Sequence, residues 1–201
     1  MTGREAEQTL SVIRTLMERG TQYTHLSGHA GIAAGGLTLL GSFLRLRFDT
    51  PFLPTWLGVL VLASATTILF TGALHRANGE PLWTRQARTV TLALLPSLTA
   101  ALILTAVLSR AGQEALLPGI WMLLWGVGAL AMSFFTPRVI SALGGTFLVA
   151  GTVTLTSGFA DDALTMALTF GLIHLGYGTA LTLIPAGAAA PASTPSSSEA
   201  Q

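Results

Sequence analysis

The sequence contains no cysteine and no lysine, and charged side chains make up only 9% of its 201 residues. The missing cysteine excludes disulfides, thiolate metal sites and a cysteine nucleophile. A soluble domain carries about 25% charged residues, so this chain has too few ions to cover the surface of an ordinary water-soluble globule. A net charge of +1 provides neither a basic patch for nucleic acid nor an acidic tail.

Long apolar runs are what the sequence has in abundance. Hydrophobic residues make up 51% of the chain, and the mean hydropathy is +0.64. A helix needs about 20 apolar residues to cross about 30 Å of hydrocarbon. Six runs approach this length and predict an all-α, polytopic membrane bundle of six transmembrane helices: 26–44, 54–74, 90–109, 118–135, 139–156 and 163–184.

Two outer segments flank the predicted transmembrane domain, which covers residues 26–184. Residues 1–25 predict an amphipathic helix, because apolar and charged side chains fall on different helical faces. The apolar face holds Leu10, Ile13, Leu16 and Met17, and the polar face holds Glu7, Ser11, Arg14 and Glu18. Residues 185–201 are rich in alanine, proline and serine, a composition that cannot bury a core and predicts a disordered tail.

The arginines predict the orientation of the bundle. Six spans place both termini on one side of the membrane, together with the loops that follow the second and fourth spans. That side holds seven arginines and the other side three, which assigns the termini to the cytoplasm by the positive-inside rule. The seven are Arg4, Arg14, Arg19, Arg76, Arg85, Arg88 and Arg138, and the three are Arg45, Arg47 and Arg110.

Histidines are the main candidates for chemistry, because no Asp, Glu or Arg falls inside a predicted span except near an end. Proton-coupled carriers and intramembrane hydrolases usually need buried carboxylates. His25, His29 and His75 lie near the predicted cytoplasmic side and offer three zinc ligands with a fourth position open. No carboxylate is evidently placed to support them. Interfacial histidines bonded to backbone or water are the other interpretation, and we expect no bound metal.

His174 lies near the middle of the sixth span, on one helical face with Gly171 and Gly178. A polar group at that depth is expected to face the bundle. It could ligate a haem or chlorin, but His29 lies roughly 10 Å nearer the cytoplasm at 1.5 Å per residue, so a second axial histidine at equal depth is missing. We favour a buried histidine bonded to a Ser, Thr or Tyr of a neighbouring helix, and we predict no cofactor.

Small residues form rows at helical spacing on two spans. The rows are Ser27, Gly31 and Gly35 on the first span and Ser141 and Gly145 on the fifth. Such rows let helix backbones approach closely inside a bilayer. We predict that the first-span row meets the face of the sixth span that holds Gly171 and Gly178, with His174 bonded to a hydroxyl across the seam. A dimer seam or a substrate groove is the alternative use of the row.

Three stretches carry a resemblance to a known family. They are residues 15–19 (TLMER), residues 26–35 with Leu26-Ser27-Gly28, Gly31 and Ala34-Gly35, and residues 174–178 (HLGYG). The chain resembles a family of small bacterial multi-span integral membrane proteins with no assigned function. The resemblance covers most of the chain and implies a protein of the bacterial inner membrane. It implies no catalytic residues, because the family has none assigned.

These features predict a non-enzymatic integral membrane protein that acts through protein–protein contacts, as an accessory subunit of a membrane complex or as a regulatory partner. Its expected partners are the lipid bilayer, other membrane subunits or further copies of itself, and not nucleic acid. Two alternatives stay open. A small transporter or channel working as an oligomer would use Pro96 and the glycine-rich spans as hinges. A metal-dependent membrane enzyme would use the three histidines near the cytoplasmic side.

Overall fold

The computed structural model describes residues 27–77, 79, 81, 83–136, 139–158 and 161–183. Within these residues the chain is helical and contains no strand. Its six long helices are α1 Gly28–Phe48, α2 Phe52–Ala77, α3 Arg85–Arg110, α4 Leu117–Ser133, α5 Val139–Ser157 and α6 Asp162–Leu183. The predicted amphipathic segment 1–25 and the predicted tail 185–201 lie outside the described residues.

Five of the six helices, α2 to α6, are long and apolar enough to cross a membrane. The described part of the chain is therefore all-helical, with several helices of membrane-spanning type, as its apolar runs predict. The first predicted span corresponds to α1, which has 21 residues but is not one of the five. Five glycines, His29 and two arginines lower the hydropathy of α1.

Local sequence signals account for several helix ends. A 3₁₀ turn over Glu114–Leu116 leads into α4, and Pro118 lies in its first turn, where the missing N–H costs nothing. Gly158, which follows α5, has a φ of +68°, the left-handed conformation that commonly ends helices. Asp161 precedes α6, and its Oδ1 accepts a hydrogen bond of 2.9 Å from the backbone N–H of Leu164, as an N-cap does.

The sixth helix is interrupted, whereas the sequence predicts one regular span. It is α-helical over Asp162–Met166, π-helical over Ala167–Gly171 and α-helical again over Leu172–Leu183. The N–H of Leu172 donates to the carbonyl of Ala167, five residues earlier. A π turn widens the helix locally, and such turns frequently lie at functional sites.

The helices pack in a series rather than around one central helix. α1 packs against α2 and α6, and α4 packs against α3 and α5. α6 joins the two groups, because its Phe170, Ile173 and Tyr177 pack on an apolar cluster of α4 and α5 that includes the fully buried Phe147. Among the described residues, α2 and α3 do not pack along each other although they are consecutive. Among the described residues, each of these two helices therefore packs extensively on one neighbour only.

Candidate functional site

The contact surface between α1 and α6, which we call the α1–α6 seam, contains most of the small residues predicted to lie there. A Cβ atom added to Gly31 would lie 3.0 Å from the Cα of Gly178. One added to Gly35 would lie 2.7 Å from the carbonyl oxygen of Gly171. Since the opposing atoms belong to the backbone, no side chain can move aside, and only glycine allows this approach. The predicted faces of the first and sixth spans thus lie against each other.

At two positions of the predicted rows, the residue that lies at the helix contact is the adjacent glycine and not the predicted residue. Ser27 precedes the first residue of α1, and the position in the seam is Gly28, whose Cβ would lie 2.6 Å from the carbonyl oxygen of Gly178. On α5, Gly145 faces open space, whereas a Cβ on Gly144 would lie 3.0 Å from the carbonyl oxygen of Gly126 on α4. Spacing alone identifies a helix with a small face, but adjacent small residues make the choice between them ambiguous.

His174 bonds to its own helix rather than to a neighbouring one. Its Nδ1 lies 2.9 Å from the carbonyl oxygen of Phe170, one turn earlier, so the predicted hydroxyl partner is wrong. The imidazole centroid lies 5.7 Å from that of Trp125, 5.3 Å from that of Phe147 and 5.8 Å from that of Phe170. The imidazole thus lies among aromatic rings of α4, α5 and α6.

Trp125, Phe147, Phe170, His174 and Tyr177 form what we call the aromatic cluster. Trp125 Nε1 and the hydroxyl of Tyr177 are buried and have no hydrogen-bond partner among the described residues. A carbonyl oxygen only accepts, so His174 must donate from Nδ1 to Phe170, and neutral imidazole then carries a lone pair on Nε2. The cluster therefore combines two unused donors with one unused acceptor.

The three histidines considered as zinc ligands lie in different settings. His29 is exposed and stacks on Phe70 with the ring centroids 6.2 Å apart. His75 is fully buried, and His25 lies outside the described residues. Within the part of the chain that the structure describes, no three His, Cys, Asp or Glu side chains form a group that could hold a metal ion.

An ion pair joins α1 to α6, and the sequence did not predict it. Arg45 donates from Nε and Nη2 to the two carboxylate oxygens of Asp162, at 3.1 and 2.9 Å. Trp56 of α2 donates from Nε1 to the same carboxylate at 3.0 Å. We call Arg45, Trp56 and Asp162 the clamp. The only sequence signal is that opposite charges stand at the end of the first span and the start of the last, which the predicted topology places on one side.

The clamp is largely shielded from solvent. The side chains of Arg45 and Asp162 are 17% and 18% exposed, and Arg45 also donates from Nη1 to the carbonyl of Thr50. The carboxylate thus accepts bonds from two helices while it belongs to a third. The clamp fixes the relative positions of α1, α2 and α6 at one end of the bundle.

Comparison with known proteins identifies no relative of this chain. No protein-family model, no curated protein and no solved structure matches the chain. The resemblance to small bacterial membrane proteins stays a prediction. What the chain does therefore has to follow from its own residues and their geometry.

Proposed function

We propose that the chain is a non-enzymatic integral membrane protein that acts through contacts with other membrane proteins, as an accessory subunit or a regulatory partner. The observation that carries the proposal is the uneven packing of the bundle. In the most apolar stretch of each helix, 6% of the residues of α2 and 11% of those of α3 are buried, against 44% in the segment that contains α4. α2 and α3 thus have long apolar faces that the described part of the chain does not cover.

Helices from a partner would fill these faces. Helices joined by a short loop commonly pack against each other, but α2 and α3 do not. Lipid gives apolar helix faces no hydrophobic reason to associate, so close van der Waals contact has to hold them. The occupant that suits two separated apolar faces is a transmembrane helix of another protein, inserted alongside α2 or α3.

Site-specific photocrosslinking in native membranes tests this proposal. Val61 on α2 and Leu102 on α3 are 66% and 68% exposed, and Val149 on α5 is 66% exposed and serves as the matched control. A photoreactive residue at Val61 or Leu102 should give a discrete adduct with another protein, and the same residue at Val149 should react with lipid alone. Lipid adducts at all three positions would contradict the proposal, and an adduct with a second copy of the chain would favour a homo-oligomer.

The proposed topology has six crossings, α1 included, with both termini in the cytoplasm of a bacterial cell. The arginine distribution supports it. Because the chain has no cysteine, single cysteines can report on each side. Cysteines at Gln86 and Ser198 should resist an impermeant thiol reagent in intact cells, and one at Gln113 should react. The reverse pattern would overturn this orientation.

A small transporter or channel is the alternative that a specific observation favours. The π turn over Ala167–Gly171 interrupts α6, and Pro96 lies inside α3. Interrupted and proline-containing helices supply hinges in transporters. Solute or ion flux into liposomes that contain the purified protein, reduced by Pro96→Ala, would support transport over partner binding.

A further inference from the structure

The aromatic cluster lies where α6 packs on α4 and α5, and three of its polar atoms make no hydrogen bond to another described residue. Trp125 Nε1 and the Tyr177 hydroxyl are buried without a partner among the described residues. His174 uses Nδ1 for the Phe170 carbonyl, which leaves Nε2 as a lone pair. Folded proteins satisfy most buried polar atoms, so two unpartnered donors in one cluster need an explanation.

These polar groups come from two helices and face a common apolar surface. Trp125 belongs to α4, and His174 and Tyr177 belong to α6, on the C-terminal side of its π turn. Trp125 and Tyr177 both pack on the cluster that contains the fully buried Phe147. The three side chains are half-buried as a whole, but the donor atoms of Trp125 and Tyr177 are buried.

The chemistry of the cluster limits what it can bind. An indole N–H, a phenol and a neutral imidazole carry no net charge, and they lie halfway along apolar helices, where a charged ligand would be costly. Two of the groups donate to oxygen, and the imidazole Nε2 accepts from a hydroxyl. The flanking rings of Phe147 and Phe170 favour a flat, apolar ring over a chain.

We propose that the aromatic cluster binds the ring of a neutral, membrane-soluble carbonyl or hydroxyl compound of the quinone or quinol class. Trp125 Nε1 and the Tyr177 hydroxyl donate to a carbonyl oxygen of the ring, and His174 Nε2 accepts from a ring hydroxyl in the reduced form. Binding requires the aromatic side chains to separate, and the adjacent π turn provides a place where α6 can adjust. This inference is independent of the proposed partner protein.

Thermal unfolding of the full chain in nanodiscs, titrated with decylubiquinone or decylubiquinol, tests the proposal. The wild type should show a saturable rise in Tm. Tyr177→Phe removes one oxygen atom and should weaken binding about tenfold, the effect of losing one hydrogen bond to a ligand. Thr152→Val removes a hydroxyl from an exposed position of α5 and should bind like the wild type.

The Tm without ligand separates a binding defect from a folding defect. Tyr177→Phe removes a hydroxyl without a partner, so the unliganded variant should unfold at or slightly above the wild-type temperature. Saturable binding that is weakened in Tyr177→Phe and retained in Thr152→Val supports the site. No saturable rise in the wild type, or equal affinity for the wild type and Tyr177→Phe, overturns it. A loss of Tm in unliganded Tyr177→Phe also overturns it, because the hydroxyl would then have a structural partner.

Discussion

Two pairs of helices in this bundle are joined by glycine seams, and the pairs differ in how far apart their helices lie in the sequence. α4 and α5 are neighbours, and a Cβ on Gly151 would lie 2.8 Å from the carbonyl oxygen of Gly119. α1 and α6 are the first and last described helices, and a Cβ on Gly178 would lie 2.6 Å from the carbonyl oxygen of Gly28. Backbones are in close contact in both pairs, and slightly closer between α1 and α6.

The two seams are reinforced by different means. The α4–α5 pair adds buried apolar side chains, Met122 on α4 with Leu143 and Phe147 on α5. The α1–α6 pair adds the clamp of Arg45, Trp56 and Asp162. A short connection keeps α4 and α5 close, whereas bringing α1 to α6 closes a long loop at a larger entropic cost. In a bilayer, hydrogen bonds and ion pairs can offset that cost where apolar contact alone does not.

Removing the charge of Asp162 should weaken the α1–α6 pair most. Asp162→Asn removes the shielded carboxylate partner of Arg45 and leaves the exposed Asp49, whose Oδ1 lies 3.8 Å from Nη1 of Arg45. We expect a loss of about 1.5–3 kcal/mol in unfolding free energy, the range for hydrogen bonds that involve charged groups. Denaturant unfolding in mild detergent measures it.

The neighbouring aspartate provides a matched control. Asp161→Asn removes the same charge one residue away, and asparagine caps a helix about as well as aspartate does. The cap bond to the N–H of Leu164 should persist, with little change in stability. Equal losses in Asp161→Asn and Asp162→Asn would show that the net charge matters and the clamp does not.

Adding a methyl group at Gly178 should have the next largest effect. The new Cβ would lie 2.5 Å from the backbone nitrogen of Ile32 and 2.6 Å from the carbonyl oxygen of Gly28, so the helices must separate. We expect Gly178→Ala to lower stability by about 2 kcal/mol, within the range for overpacking a well-packed core. Gly176→Ala, where no atom lies within 4 Å, should not lower it. Unchanged thermal unfolding in Gly178→Ala would be incompatible with this seam.

The corresponding change in the α4–α5 seam should cost less. A Cβ on Gly144 would lie 2.9 Å from Cγ of Leu130 and 3.0 Å from both the carbonyl oxygen of Gly126 and the backbone nitrogen of Leu130. These backbone contacts are longer than those at Gly178, so the helices need to separate less. We expect Gly144→Ala to cost about 1 kcal/mol, with Gly145→Ala as the control that faces open space. A larger loss in Gly144→Ala than in Gly178→Ala would reverse the ranking of the two seams.

The sequence predicted most of the fold because each membrane-spanning helix corresponds to one continuous run of apolar residues. Twenty apolar residues must form a helix to satisfy their backbone groups in hydrocarbon, so the apolar runs located the helices within a few residues. The α1–α6 contact was also predictable, because glycines repeated at helical spacing on both spans. The π turn in α6 was not predictable, since no residue in Ala167–Gly171 distinguishes it from a regular helix.

The sequence by itself determined that the chain is apolar and helical, which faces are small, and that His174 stands far from either end of its span. Only the tertiary structure decided which of two adjacent glycines packs, that Asp162 rather than Asp161 bonds to Arg45, and that Trp125 and Tyr177 lie together with unused polar atoms. The physical reason is that the first group of features depends on residues close in sequence, and the second on contacts between helices. Hydropathy and helical spacing can be read from consecutive residues. A hydrogen bond or a backbone contact depends on the position of another helix to within about 1 Å.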